Sequence, residues 1–130
     1  MAAAQVDRPA VRAEVERVFH AYERALMAND VAALNGFFWA DPRVTRYGIA
    51  DRQHGFDELV AYRAATPAPG FTRSLHLLRL ACFGDDMAVA QVEFVRSDTV
   101  LRGFQSQTWV RFAEGWKIVA AHVSMIPFEA

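Results

Sequence analysis

Residues 71–126 read FTRSLHLLRLACFGDDMAVAQVEFVRSDTVLRGFQSQTWVRFAEGWKIVAAHVSMI. Three breaks divide the stretch: Gly84-Asp85-Asp86, Ser97-Asp98 and Glu114-Gly115. Between the breaks apolar residues, many of them β-branched or aromatic, alternate with polar ones. That is the period-two pattern of half-buried strands joined by tight turns. Four antiparallel strands are expected, at 71–83, 87–96, 101–112 and 116–126.

Upstream the period changes. Asp7 is placed to cap a helix with Pro9 in its first turn. Val11, Val15, Val18, Phe19, Tyr22 and Leu26 then recur at steps of three and four, as on one buried helical face. Asp30 is placed to cap a second helix over 31–38, which ends before Pro42. Residues 44–47 read as a short strand closed by Gly48, and 56–63 as a third helix broken by Thr66-Pro67-Ala68-Pro69-Gly70. The order predicts a single α+β domain over residues 1–130, with N-terminal helices packed on a strongly curved, mostly antiparallel sheet. Such a sheet forms a half-cone whose mouth suits a small molecule.

Composition narrows the function. The 130 residues are 53% hydrophobic with a net charge of −1, so neither nucleic acid nor an anionic membrane is an expected partner. Cys82 is the single cysteine, which excludes a disulfide framework and a cysteine zinc site. The N-terminal residues lack the basic and apolar regions of a signal peptide, and a cytoplasmic protein is expected. Of 14 basic residues only Lys117 is a lysine. An arginine beside an apolar wall is a fixed, planar fork for carboxylates.

The chemistry-bearing motifs are mostly missing. His20, His54, His76 and His122 show no metal-ligand spacing, no Gly-x-Ser-x-Gly elbow is present, and no glycine-rich phosphate loop appears. No metal is expected. Polar residues embedded in apolar patterns remain. Tyr22 lies on the apolar face of the first helix, either as a core tyrosine or as a functional one. Arg46 points to solvent or into the cavity, and Trp39 is a plug at the base of the sheet or a wall of the pocket. Alternation puts Arg73 opposite Ser74, and Gln105 and Gln107 opposite Ser106. It also groups Ile118, Ala120, His122 and Ser124, whose small members leave room for a cavity beside a titratable imidazole. Glu14, Glu16, Glu23 and Asp57 read as solvated helix faces, which leaves Glu93 as the one carboxylate to watch for an interior base.

Gly36 to Gly48 and Gly115 to Ser124 resemble the SnoaL-like and NTF2-like (cystatin-like) cone fold. Arg46-Tyr47-Gly48-Ile49, Gly55-Phe56 and the run from Gly103 to Arg111 resemble the AtzH-like family of cyanuric acid catabolism, over nearly the whole chain. The resemblance implies a cofactor-free decarboxylase that converts 1,3-dicarboxyurea to allophanate during s-triazine degradation, and relatives also occur beside oxalurate genes. It carries the family's functional tyrosine and arginine onto Tyr22 and Arg46.

On chemical grounds, Arg46 and Arg73 supply forks for a flat dianion, and Gln105 or Gln107 meet its edge. An arginine on the departing carboxylate gains little, because it stabilises the ground state as well. Arg46 is therefore expected to orient the retained carboxylate while the leaving one faces an apolar wall such as Trp39. Tyr22 donates the hydrogen bond or relays a proton, with His122 as a second candidate. Ser74 is a further expected substrate contact. The alternatives are a non-catalytic carrier of a carboxylated ureide, an interaction protein that forms a homodimer or a larger homo-oligomer, and an isomerase or dehydratase, against which the scarcity of carboxylates on the expected inner faces argues.

Overall fold

A computed structural model describes residues 1–129. Helix α1, Pro9–Ala28, buries Val11, Val15, Phe19, Tyr22 and Ala25, the stripe that the three-four spacing dictates. It ends where Asn29 turns left-handed (φ 51°) and its N–H reaches the Ala25 carbonyl. Its start differs from expectation. Arg8 is the capping residue and offers no side-chain cap. Asp7, at φ 55°, instead exchanges two hydrogen bonds with the Cys82 backbone: its N–H donates at 2.9 Å and its carboxylate accepts at 2.8 Å. Asp7 thus fastens the N-terminus to the sheet.

Helix α2, Val31–Gly36, begins as expected, with the Asp30 carboxylate accepting the Ala33 N–H. It stops two residues earlier than its apolar pattern suggests. Phe37 accepts the Ile118 N–H and Trp39 donates to the Ile118 carbonyl, so the last strand pulls these residues out of the helix. Strands β1, Thr45–Tyr47, and β2, Arg52–His54, form a small hairpin. Helix α3, Phe56–Ala65, follows Gly55, whose φ of 94° and close approach to Pro42 suit glycine. Strands β3, Arg73–Phe83, β4, Met87–Arg96, β5, Arg102–Phe112, and β6, Gly115–Ile126, form the meander. The β2 segment was not anticipated, because three polar residues carry no period.

The six strands make one sheet in the order β2-β1-β6-β5-β4-β3, and only the β1–β6 pair is parallel. Two irregularities bend it. In β3 the register shifts between His76 and Arg79, where Leu77 adopts φ 55° and stays 71% exposed. Between β5 and β6 the register shifts at Thr108 and Trp109. Trp109, Phe19, Phe38, Leu34, Leu59 and Ile118 fill the space between helices and sheet.

Candidate functional site

Register defines the inner face. Gln53 on β2 faces Arg46 on β1, which faces Ala121 on β6, then Gln107 on β5 and Ala90 on β4. Directly paired residues project to the same side, so this row lines one face. Gln53, Gln107, Ala121 and Ala90 are all buried there, beneath the helices.

Arg46 is almost enclosed. Its Nη1 donates to Asp51 Oδ1 at 2.8 Å and to Gln53 Oε1 at 2.9 Å, and its guanidinium lies 5.1 Å from the Tyr62 ring centre. Tyr62 in turn donates its hydroxyl to Asp51 Oδ2. Burial raises the Asp51 carboxyl, but the Gln53 hydrogen bond and the Arg46 charge outweigh it and hold the group below the ordinary carboxylate value.

Arg63 also lies near Tyr62, its guanidinium 5.7 Å from the ring centre. It is only 6% exposed, and its Nη2 donates to the Tyr22 hydroxyl at 3.3 Å. Its Nε is buried with no hydrogen-bond partner. Tyr22 is itself buried, edge-on to Phe37 and Phe38.

A second cluster forms on the same face. Arg73 Nε donates to Glu23 Oε1 at 2.6 Å and its Nη2 to Glu23 Oε2, a bidentate pair with side chains 6% and 13% exposed. The same Nη2 donates to Gln105 Oε1 at 3.1 Å, which leaves Gln105 Nε2 buried without a partner. The guanidinium also lies 4.5 Å from the Phe94 ring centre, and that ring occupies the space a side chain at Gly103 would need. Gln107 accepts from Trp109 Nε1 at 3.1 Å.

Three of the expected contacts lie elsewhere. Ser74 is exposed and bonds His76. His122 is exposed and faces Ser106 and Tyr47, on the side of the sheet opposite Arg46. The irregularity at Thr108 and Trp109 separates Ile118, which points into the core, from His122, which points out. Simple alternation therefore misassigned the final strand. Trp39 stacks on Phe112 at 5.5 Å under Arg43 and is not the wall beside Arg46.

The carboxylates also move. Glu23 is nearly enclosed and Asp51 is half-buried beside Arg46, whereas Glu93 pairs with Arg102 on the opposite side of the sheet. The signal for Arg63 was its position four residues after Leu59, on the buried side of α3. Asp51, Gln53, Tyr62 and Glu23 carried no comparable signal, since hairpin and helix packing bring them in. Burial pushes the Cys82 thiol up, as befits a core residue.

An open groove of about 540 Å³ borders Leu77, Glu93, Phe104, Gln105 and His122. It reaches Gln105, one of the two buried N–H groups without a partner among the described residues; the other, on Arg63, lies with Tyr22 and Arg46 beneath the helices, which makes that cluster the candidate site. Among the described residues no group of His, Cys, Asp and Glu could hold a metal ion, and no helix is long and apolar enough to cross a membrane.

The AtzH-like family model matches residues 4–129. The chain belongs to the AtzH-like family. A protein of unknown function from the DUF3225 family of Pectobacterium atrosepticum is 43% identical, covering 98% of this chain and 99% of its own, with a TM-score of 0.95. A cystatin-like fold protein of Burkholderia xenovorans is 44% identical, covering 95% and 98%, with a TM-score of 0.92. An NTF2-like protein of unknown function from Pseudomonas putida, 16% identical over 94% of this chain and 90% of its own, shares the fold at a TM-score of 0.75. A search of functionally curated proteins finds no match. This AtzH-like chain therefore has the NTF2-like architecture expected from its sequence.

Proposed function

We propose that this AtzH-like protein decarboxylates 1,3-dicarboxyurea to allophanate without a cofactor. The observation that carries the reading is the charge held inside the cone. Among the described residues Arg46, Arg63 and Arg73 face only two carboxylates, Asp51 and Glu23, and two buried N–H groups lack acceptors. Such an interior suits a flat anion rich in oxygen acceptors.

In this mechanism the retained carboxylate docks on Arg46, which exchanges part of its contact with Asp51. Gln105 and Gln107 lie along the ligand's edge, and Arg73, held by Glu23, supplies positive potential. The leaving carboxylate is directed at apolar surface: the Ala121 methyl between Arg46 and Gln107, and the Phe37 edge beside Tyr22. Its C–N bond breaks, the electron pair passes to the urea, and carbon dioxide leaves. One proton, delivered by Tyr22 at the ureide oxygen, moved to the nitrogen through water and replenished from solvent, completes the product. The dianion and one proton thus give the allophanate monoanion and carbon dioxide.

Carbon dioxide release from freshly generated 1,3-dicarboxyurea tests this. The wild type is expected to exceed the spontaneous rate, and Tyr22→Phe to lose about a hundredfold or more of kcat. Arg46→Ala is expected to act mainly on KM. Tight substrate binding with no acceleration would replace the enzyme by a carrier of carboxylated ureides.

A further inference from the structure

Arg63 is the unbalanced charge of the interior. Arg46 and Arg73 each meet a carboxylate, whereas Arg63 meets none among the described residues. A buried ion without a counter-ion is costly and is expected where a ligand completes it. The guanidinium has no lone pair, so the 3.3 Å contact obliges the Tyr22 oxygen to accept. The Tyr22 proton is then left for another acceptor. Beside it, Arg63 Nε–H is buried and unused. Two donors on hydrogen-bonded side chains thus lack an acceptor among the described residues.

We infer that Arg63 is a catalytic residue, and that its Nε–H and the Tyr22 hydroxyl bind the ureide oxygen on which negative charge accumulates. The inference rests on the decarboxylation reading for its substrate. When the C–N bond of the leaving carboxylate breaks, its electron pair delocalises over the urea N–C–O unit, and the urea oxygen gains charge. A cation paired with an internal carboxylate has less field to offer such an oxygen than one that is free. Donors placed where charge develops lower the barrier without strengthening ground-state binding equally. The leaving carboxylate needs no cation, and the retained one already has Arg46. The ureide oxygen is therefore the acceptor left for Arg63.

The test has a kinetic arm and a binding arm. In carbon dioxide release, Arg63→Met is expected to lower kcat about 10²–10³-fold with KM within about threefold. Arg63→Lys, which keeps the charge but not the two-pronged geometry, is expected to lose at least about tenfold in kcat, and it carries the test if the methionine variant does not fold. Either folded variant with wild-type kcat overturns the inference while leaving the decarboxylase reading intact. The binding arm uses barbiturate, a flat anion with charge spread over its oxygens, and neutral dihydrouracil, each at 10 mM by design (roughly saturating for a weak ligand). Barbiturate is expected to raise the wild-type melting temperature, and dihydrouracil to leave it in place. The rise is expected to vanish in the Arg63 variants. Should the wild type release no carbon dioxide yet show this anion response, the Arg63 site stands and the decarboxylase reading falls. No response to barbiturate in the wild type overturns the Arg63 site.

Discussion

Asp51 sits between two uses of Arg46. In the resting protein it accepts from Arg46, Gln53 and Tyr62, and these contacts hold its carboxyl below the ordinary value despite partial burial. A group whose folded value is lowered adds stability that is complete above its unfolded value, near 4, and is lost as pH falls through the folded one. The melting temperature of the wild type is therefore expected to drop below about pH 4, and that of Asp51→Asn to drop less steeply. Parallel acid limbs in a thermal melting series would mean that Asp51 contributes nothing there. The same three contacts explain why the residue escaped sequence reasoning. Asp51 follows Gly48-Ile49-Ala50 in the connection between β1 and β2, where acids are ordinary.

At the scale of elements, strand register decides which residues share the interior. The long strands, their turns and the face of α1 were legible because each repeats its period several times. The final strand was half legible. Trp116 and Ile118 obey one alternation, and Ala121 resumes the inner face only after the irregularity opposite Thr108 and Trp109. No residue type marks that irregularity, so His122 was expected inside and lies outside. The β3 irregularity carries its own mark in Leu77, a left-handed, exposed leucine. Left-handed backbone costs an L-residue roughly 1–2 kcal/mol, and this side chain has little burial to lose. Leu77→Gly is thus expected to raise the urea midpoint by the equivalent of about 1 kcal/mol, and Leu77→Val to lower it. A destabilised glycine variant would show that the leucine packs on something in solution.

Across the whole molecule, the interior polar groups tie distant parts of the chain together. The Arg73–Glu23 pair joins α1 to β3, the edge strand, across 50 positions of sequence. Removing one member of a buried pair strands the other's charge, which typically costs several kcal/mol. Glu23→Gln is expected to lose about 3 kcal/mol in chemical denaturation. Arg73→Met with Glu23→Gln together is expected to recover part of that loss, as the double-mutant cycle would report. A neutral Glu23→Gln variant would place the pair outside the folding energetics.

The methyl group of Ala121 separates Arg46 from Gln107 along the inner row. It places only a single carbon of side chain between a cation and an amide. Leucine at this position would extend three further carbons into that space without altering any charge. The expected Ala121→Leu protein melts within a few degrees of the wild type, since apolar side chains of modest excess volume are tolerated where room exists, at a cost of about 1–3 kcal/mol where it does not. Its substrate saturation curve is expected to flatten. The substituted side chain would act as an inhibitor tethered to the backbone, occupying the seat at an effective concentration no free molecule can match.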